Sequence, residues 1–573
     1  MNMKNELIKS IGATPSKYQI EYQMEELSAF IHFGINTFMD VEWGNGEENP
    51  EEFNPKNLNT DQWIKVLKEA GFKRVILTAK HHDGFCLWNS KYTNHSVAKS
   101  PWKNGQGDVV LEMSNSCKKY GVKFAIYLSP WDQNSKLYGQ GEDYNEYYLN
   151  QLRELLSNYG EISEVWMDGA KGSNVEQDYN FQEWFNLIKS YYKNCIIFSP
   201  CGPDIRWIGN EQGYAGDPCW STIDIKKMNV SVDQKYLNTG EENAPDWVIG
   251  ECDVSIRPGW FYHESEDLEV KSLEKLMDIY FNSVGRNSVL LLNLPPNKDG
   301  LLHDNDVNRL KEFGQAIRDI FKENLVENCK INSSSILNED KEYSVTNTID
   351  GKNNSYWVPQ IEDGNRWVEI EFEQDKVFDV ISIQEFIELG QRVSEFNVEA
   401  FINGEYKEIF QGKTIGYKRL IRIKPIKTNK IKINFLKSLY IPLINNIGVF
   451  KQPKYMELRE QDIDNKIEFE EKYYEVNKSE KNIIVKVKRT GDMNSKLELD
   501  YTTVSGTAIN GVDYQPWSGT LKFNEGEKEK SISIVIVDNN IKNSDNKYFY
   551  LKLEDNLNQG ILGEKYETTI NIK

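Results

Sequence analysis

Cysteine is scarce in this chain of 573 residues: there are seven, with no CxxC pair among them and none after Cys329. A CxxC metal or redox motif is therefore excluded. Buried free thiols are the plain reading, since six of the seven fall between Cys86 and Cys252 inside strand-like or helix-like segments. For an extracellular protein, a long cysteine-free remainder points to a host that does not rely on disulfides. Positive charge is also in deficit. Sixty-eight Lys and Arg against 88 Asp and Glu leave a formal charge of -20, a field that repels nucleic acid and anionic headgroups and favours neutral or cationic partners. Long apolar runs are missing, and stretches such as Ser288 to Pro295 are far too short for a transmembrane segment. No GxGxxG or P-loop follows a strand, and there is no internal repeat or low-complexity tract. What the chain does have is length for two to four domains at about 150 residues each. It also has aromatics at 12%, a composition that suits sugar or peptide surfaces, where flat rings bury area and keep a polar edge.

Three regions follow different grammars. From Ser28 to about Leu325 short apolar strands alternate with amphipathic helices, as in SAFIHFGINTF, TDQWIKVLKEAG, KRVILTAKHHDGF, KFAIYLSPWD and SEVWMDGA. In the first of these helices Trp63, Ile64, Val66, Leu67 and Ala70 form one stripe, with Gly71 as its C-cap. Seven or eight such strands favour a (β/α)8-type barrel over residues 1–325, with a doubly wound sheet as the alternative. Residues 326–453 read as a β-sandwich, and after a charged linker residues 460–573 read as a second, immunoglobulin-like sandwich with period-two strands.

In a (β/α)8 barrel the chemistry sits at the C-terminal strand ends. Six histidines are present in all, yet His32 ends the first strand and His81 and His82 end the second. One such histidine is usually a hydrogen-bonded structural residue; three at adjacent strand ends point to a site. Consecutive residues of a strand face opposite ways, so a metal held by His81 and His82 together is disfavoured, and neutral imidazoles that bind hydroxyl groups are the better reading. The fourth strand ends Trp166, Met167, Asp168, Gly169. Asp168 is either a turn cap or a carboxylate at the bottom of an aromatic pocket. Cleaving an acetal takes a second carboxyl, for which Glu211 and Glu251 are the candidates.

The segments FIHFGINTF, TAKHHDGF, GVKFAIYLSPWD and EVWMDGAKG, in this order over residues 20–325, resemble the α-L-fucosidases of glycoside hydrolase family 29. The resemblance implies a retaining mechanism with Asp168 as nucleophile. It also implies that fucose is held by His32, Glu42, Trp43, His81, His82, Tyr127 and Trp166, with Trp260 packing on the sugar or its leaving group. IRWIGNEQG resembles the branch that removes α-1,3- and α-1,4-linked fucose from branched Lewis-type glycans, with Glu211 as acid/base. Fucosylated oligosaccharides and glycoproteins of a host are the implied partners, no cofactor is implied for catalysis, and a secreted or cell-surface location is expected. The N-terminus has no run of signal-peptide length, which fits either an intracellular protein or a chain whose leader has been removed. Two other readings compete: a glycan-binding adhesion protein on a decayed barrel, and a hydrolase of another deoxy or galacto sugar.

NTIDGKNNSYW resembles the calcium-proximal loop of discoidin-like modules, also called carbohydrate-binding family 32, and implies a structural calcium near Asp350, Asn353 and Ser355. Asn446 stands where that family commonly has Glu, and the module lacks a histidine for sugar binding, so a prop for the barrel and a glycan binder are equally open. SGTAINGVDY and GTLKFNEG resemble a Calx-β domain; Asn539, Asn543 and Asn546 replace its usual calcium-binding acids, which implies a spacer or adhesion role.

Overall fold

The computed structural model describes residues 12–573 except 173–174, 229–231, 328, 457–465, 492, 494–495, 538–546, 556–560 and 564. Its first region is a closed barrel of eight parallel strands: β1 (Leu27–Ile31), β2 (Arg74–Lys80), β3 (Lys123–Leu128), β4 (Glu164–Trp166), β5 (Ile196–Phe198), β6 (Ile205–Trp207), β7 (Ile249–Ser255) and β8 (Val289–Asn293). Each pairs with its sequence neighbours, and β8 closes on β1 with Leu27 opposite Leu290. Every residue of β2, β7 and β8 is buried, as expected for strands with a packed barrel on one face and helices on the other. The helix Thr60–Ala70 shows how a covering helix is specified. Asn59 caps its first turn, Gly71 ends it at φ 106°, and the expected stripe from Trp63 to Ala70 is buried.

The alternation breaks in two places that matter for the site. No helix separates β5 from β6, and between β6 and β7 the chain makes a long excursion with a two-stranded sheet, Thr222–Ile223 against Asp246–Trp247, and a short helix, Gln234–Thr239. The run DWVIGECDV is therefore two strands, only the second of which belongs to the barrel. β6 does not read as a strand in the sequence because it is three residues long with Arg206 at its centre. Arg206 is wholly buried and donates to the carbonyls of Leu237 (2.8 Å), Trp220 (2.7 Å) and Val248, so it ties the excursion to the barrel wall. All seven cysteines are unpaired, and five are buried.

The second region is an antiparallel sandwich whose two long strands, Trp367–Glu385 and Arg419–Ser438, run side by side through register shifts. Trp357, Phe378, Phe396 and Ile433 are among its core residues. It forms one compact unit with the barrel, Met1–Lys454. Its loops grip the β6–β7 excursion. Gln391 accepts from the Ser221 amide (2.8 Å) and the Asn287 side chain (3.2 Å) and donates to the Cys219 carbonyl (3.0 Å). Thr414 accepts from the Cys219 amide, and Arg419 pairs with Asp217 at 2.7 Å. Gln391→Leu strands buried polar groups on the excursion, each costing about 1–3 kcal/mol. A clear fall in the urea midpoint of the unit is expected, and an unchanged midpoint would mean that these loops do not brace the barrel.

Asp350 sits in a shallow turn of this module, where Ser355 donates to both its carboxylate oxygens (3.0 and 2.8 Å) and the Lys352 ammonium lies 3.6 Å away. The Asn353 carbonyl accepts from Asn445. Asp350 is the one carboxylate among the three residues, so a calcium there would draw most of its about six to eight oxygens from carbonyls, hydroxyls and waters.

The third region, within Tyr455–Lys573, is a sandwich of a three-stranded and a five-stranded sheet. Asn482–Thr490 alternates exposed and buried residues along its whole length, and its buried side packs with Ile532, Ile534 and Phe549. Asn539, Asn543 and Asn546 lie outside the described residues.

Candidate active site

At the C-terminal end of the barrel strands a pocket of about 440 Å³ opens. The ten residues singled out for catalysis and sugar contact all line it.

His32 follows β1 and is set by Asn293 at the end of β8. The Asn293 amide nitrogen donates to Ser255 (2.9 Å) and to the Trp260 carbonyl (2.8 Å), which turns its oxygen toward His32 Nδ1 at 2.8 Å. His32 Nδ1 is therefore the donor, and Nε2 is left as an acceptor. Burial lowers its pKa to about 4. His82 is arranged alike. Ser129 gives its hydroxyl proton to the Trp131 carbonyl and so accepts from His82 Nδ1 at 2.7 Å. Burial also lowers the pKa of His81 well below the ordinary value and, against the pull of Asp168, that of His82. Each of these shifts favours the neutral ring, which can both donate to and accept from a sugar hydroxyl.

The expectation that His81 and His82 face opposite ways is corrected: their ring centroids are 4.2 Å apart and both line the pocket. β2 ends at Lys80, so the two histidines lie in the turn beyond it, where strand alternation no longer holds.

Asp168, two residues past β4, accepts from Tyr127 Oη at 3.0 Å through one carboxylate oxygen and from the Ala170 amide at 2.9 Å through the other. His82 Nε2 lies 3.7 Å from it. Trp166 stacks on Phe198 at 3.9 Å, lies beside Tyr127, and donates its indole N–H to Glu251 at 2.8 Å. Glu251 is wholly buried and is also held by the Tyr22 hydroxyl, and burial raises its pKa to about 7. Its partners are aromatic side chains, and it lies in the barrel interior, outside the pocket lining.

Glu211 lies on the β6–β7 excursion, open to the pocket mouth, and accepts from the Trp260 indole at 3.2 Å. Burial by the surrounding walls raises its pKa, opposed by that hydrogen bond and reinforced by the charges of Asp168 and Glu42. Glu42 accepts from the backbone amides of Trp260 (2.8 Å) and Phe261 (3.0 Å). Trp43 stands at the rim, 60% exposed, edge-on to His82 and Trp131.

Sequence reasoning missed several lining residues. Asp253 lies inside β7 and accepts from the Trp207 indole at 2.9 Å; burial, with the charges of Glu211 and Glu251, raises its pKa well above the carboxylate range. Period two from Glu251 places Asp253 on the same inward face, a signal that was there to use. Phe198 and Trp207 end two very short strands and carried no such signal.

A barrel pocket with one carboxyl at the end of β4, a second on the β6–β7 excursion, neutral imidazoles and aromatic walls is equipped for glycoside hydrolysis. The sequence profile described as Alpha-L-fucosidase matches residues 10–319. The chain belongs to the α-L-fucosidase family. The F5/8 type C domain profile matches residues 330–447 and the Calx-beta domain profile residues 460–573. Alpha-L-fucosidase 1 of Arabidopsis thaliana is 44% identical over 443 residues, covering 76% of this chain and 87% of the plant protein. A family 29 fucosidase of Ruminococcus gnavus, solved in complex with fucose, is 37% identical with a TM-score of 0.73 over 79% of this chain and 98% of that one. A structure described as a putative alpha-L-fucosidase of Bacteroides ovatus covers 100% of this chain and 98% of its own, at 32% identity and a TM-score of 0.68. As a fucosidase, this protein is a glycoside hydrolase acting on fucosylated glycans. Among the described residues no helix is long and apolar enough to cross a membrane.

Proposed function

We propose that this fucosidase is a retaining exo-enzyme that removes α-1,3- and α-1,4-linked fucose from branched Lewis-type glycans of host glycoconjugates, with Asp168 as nucleophile and Glu211 as acid/base. The observation that carries it is the contrast between the two carboxyls. Asp168 is fixed by Tyr127 and Ala170 beside His82, whereas Glu211, on the excursion that lines the same pocket, has a raised pKa suited to carrying a proton. In the first step an Asp168 oxygen bonds to the anomeric carbon as the glycosidic C–O bond breaks, and Glu211 gives its proton to the departing oxygen. In the second, water attacks the same carbon, Glu211 takes up its proton, and Asp168 leaves. His32, His81 and His82 accept or donate to the sugar hydroxyls, and the aromatic walls receive its apolar face and methyl group. Action on host glycans implies a secreted or cell-surface protein.

The linkage preference draws on the excursion. Met228, Val232, Gln234 and Leu237 of the excursion also line the pocket, and on this reading they receive the sugar that bears the fucose. Lewis a and Lewis x trisaccharides are expected to be much better substrates than α-1,2-linked fucosyllactose, with simple aryl fucosides poor. Fucose release followed by mass spectrometry checks this; equal rates on the branched and α-1,2-linked sugars would refute the preference while leaving the activity intact.

A further inference from the structure

His263 does not line the pocket, yet it sits on Glu42, which does. Its Nδ1 lies 2.8 Å from Asp40 Oδ1 and its Nε2 lies 2.8 Å from Glu42 Oε1. A neutral imidazole has one N–H and one lone pair, so it can satisfy one carboxylate only by turning a lone pair on the other; the doubly protonated ring donates to both. The backbone is shaped for this contact. A Cβ on Gly259 would fall 2.7 Å from Glu42 Oε1 and 3.0 Å from His263 Cδ2, so glycine is what allows the loop to close over the pair.

The loop is also the one that joins the pocket's parts. The amides of Trp260 and Phe261 hold Glu42, the Trp260 indole donates to Glu211, and the Trp260 carbonyl accepts from Asn293, which sets His32. We propose that His263, as an imidazolium clamped between Asp40 and Glu42, is a positioning residue that keeps Glu42 turned to the fucose and Trp260 in place, so that fucose affinity falls as rising pH discharges the clamp.

The charges facing the ring are Asp40 and Glu42 from the segment after β1 and Glu266 from its own loop; Arg257 reaches only the His263 carbonyl and is taken up by Asp306 and Asp267. Burial works against the charged ring, but the hydrogen bonds of Asp40 and Glu42 and the charges of Glu42 and Glu266 outweigh it, and its pKa is raised. For a group raised in this way the stabilised, charged state is complete below the ordinary histidine value and is lost as pH rises through the raised one. Fucose itself does not titrate there, and Glu211 and Asp253, which line the pocket with raised pKa values, titrate alike in the wild type and in His263→Gln, so the clamp is read from the difference between the two profiles.

The proposal rests on the reading of Glu42 as a fucose contact, and the test separates the two. Fucose binding to the full chain is measured by calorimetry from about pH 5.5 to 9 for the wild type, His263→Gln, Asp40→Asn and Glu42→Gln. In the wild type affinity should drop about tenfold across the alkaline side, the size of one charge-assisted hydrogen bond. His263→Gln should bind at the weaker level with that drop abolished. Asp40 is 60% exposed and outside the pocket. Asp40→Asn, which removes one of the two anions, should keep wild-type affinity at acid pH but shift the drop to lower pH, an effect a merely structural residue would not produce. If Glu42→Gln weakens binding while His263→Gln and Asp40→Asn leave the pH profile unchanged, the clamp is overturned and the Glu42 reading stands. If Glu42→Gln binds fucose like the wild type, it is the Glu42 reading that fails, and the clamp fails with it.

Discussion

Asp168→Ala is expected to bind intact fucosides and to turn them over on the order of 10^4-fold more slowly, the size of effect seen when a reacting group is removed from an assembled site. Binding should survive because the imidazoles, Glu42 and the aromatic walls do not depend on Asp168: His32 is set by Asn293 and His82 by Ser129. Azide should recover part of the rate by entering the space the carboxylate leaves, and the product should be the fucosyl azide of inverted anomeric configuration. The rescue is diagnostic, since a residue that merely oriented the sugar would not be replaced by a small anion. Near wild-type turnover in this variant would remove Asp168 from the chemistry.

Glu211→Ala is expected to act differently according to the leaving group. On Lewis trisaccharides, whose departing oxygen needs a proton, loss of the acid should cost about 10^2- to 10^4-fold. On fucosyl fluoride, which leaves without one, the first step should be nearly untouched. The pH profile should change in step. In the wild type the natural substrates lose rate as rising pH strips the proton from Glu211, whose pKa is raised by burial and by Asp168 and Glu42; in the variant that limb should vanish. Glu251 is the control. It is fixed to Trp166 and Tyr22 inside the barrel, so Glu251→Gln should disturb stability and slow all substrates alike. Leaving-group dependence in a Glu251 variant and none in Glu211→Ala would exchange the two roles.

How much of this was legible depended on local pattern. The first four strands are apolar runs closed by polar residues, so the sequence alone places His32, His81, His82 and Asp168 at one end of a barrel. Where geometry left the strand, the pattern misled: His81 and His82 face the same pocket because the strand stops one residue earlier. β6 was hidden because its three residues centre on a buried arginine whose partners are carbonyls up to 42 residues away, and no periodicity reports such partners. Asp253 shares one face of β7 with Glu251, but its partner is Trp207 on a three-residue strand that carries no pattern of its own. The grip of Gln391 on Ser221 and Cys219 spans two regions of different grammar. A contact of that kind leaves no trace in either region by itself.

On the proposed mechanism fucose passes through a covalent bond to Asp168. A fucosyl fluoride carrying a further fluorine beside the anomeric carbon forms that bond faster than water can break it, so the enzyme should lose activity with time and gain the mass of one sugar. Peptide mass spectrometry should place the added mass on the segment containing Asp168, with no adduct in Asp168→Ala. An adduct on the Glu211 or Glu251 peptide, or steady hydrolysis to fucose of inverted configuration with no adduct anywhere, would rule out Asp168 as the nucleophile of a retaining enzyme.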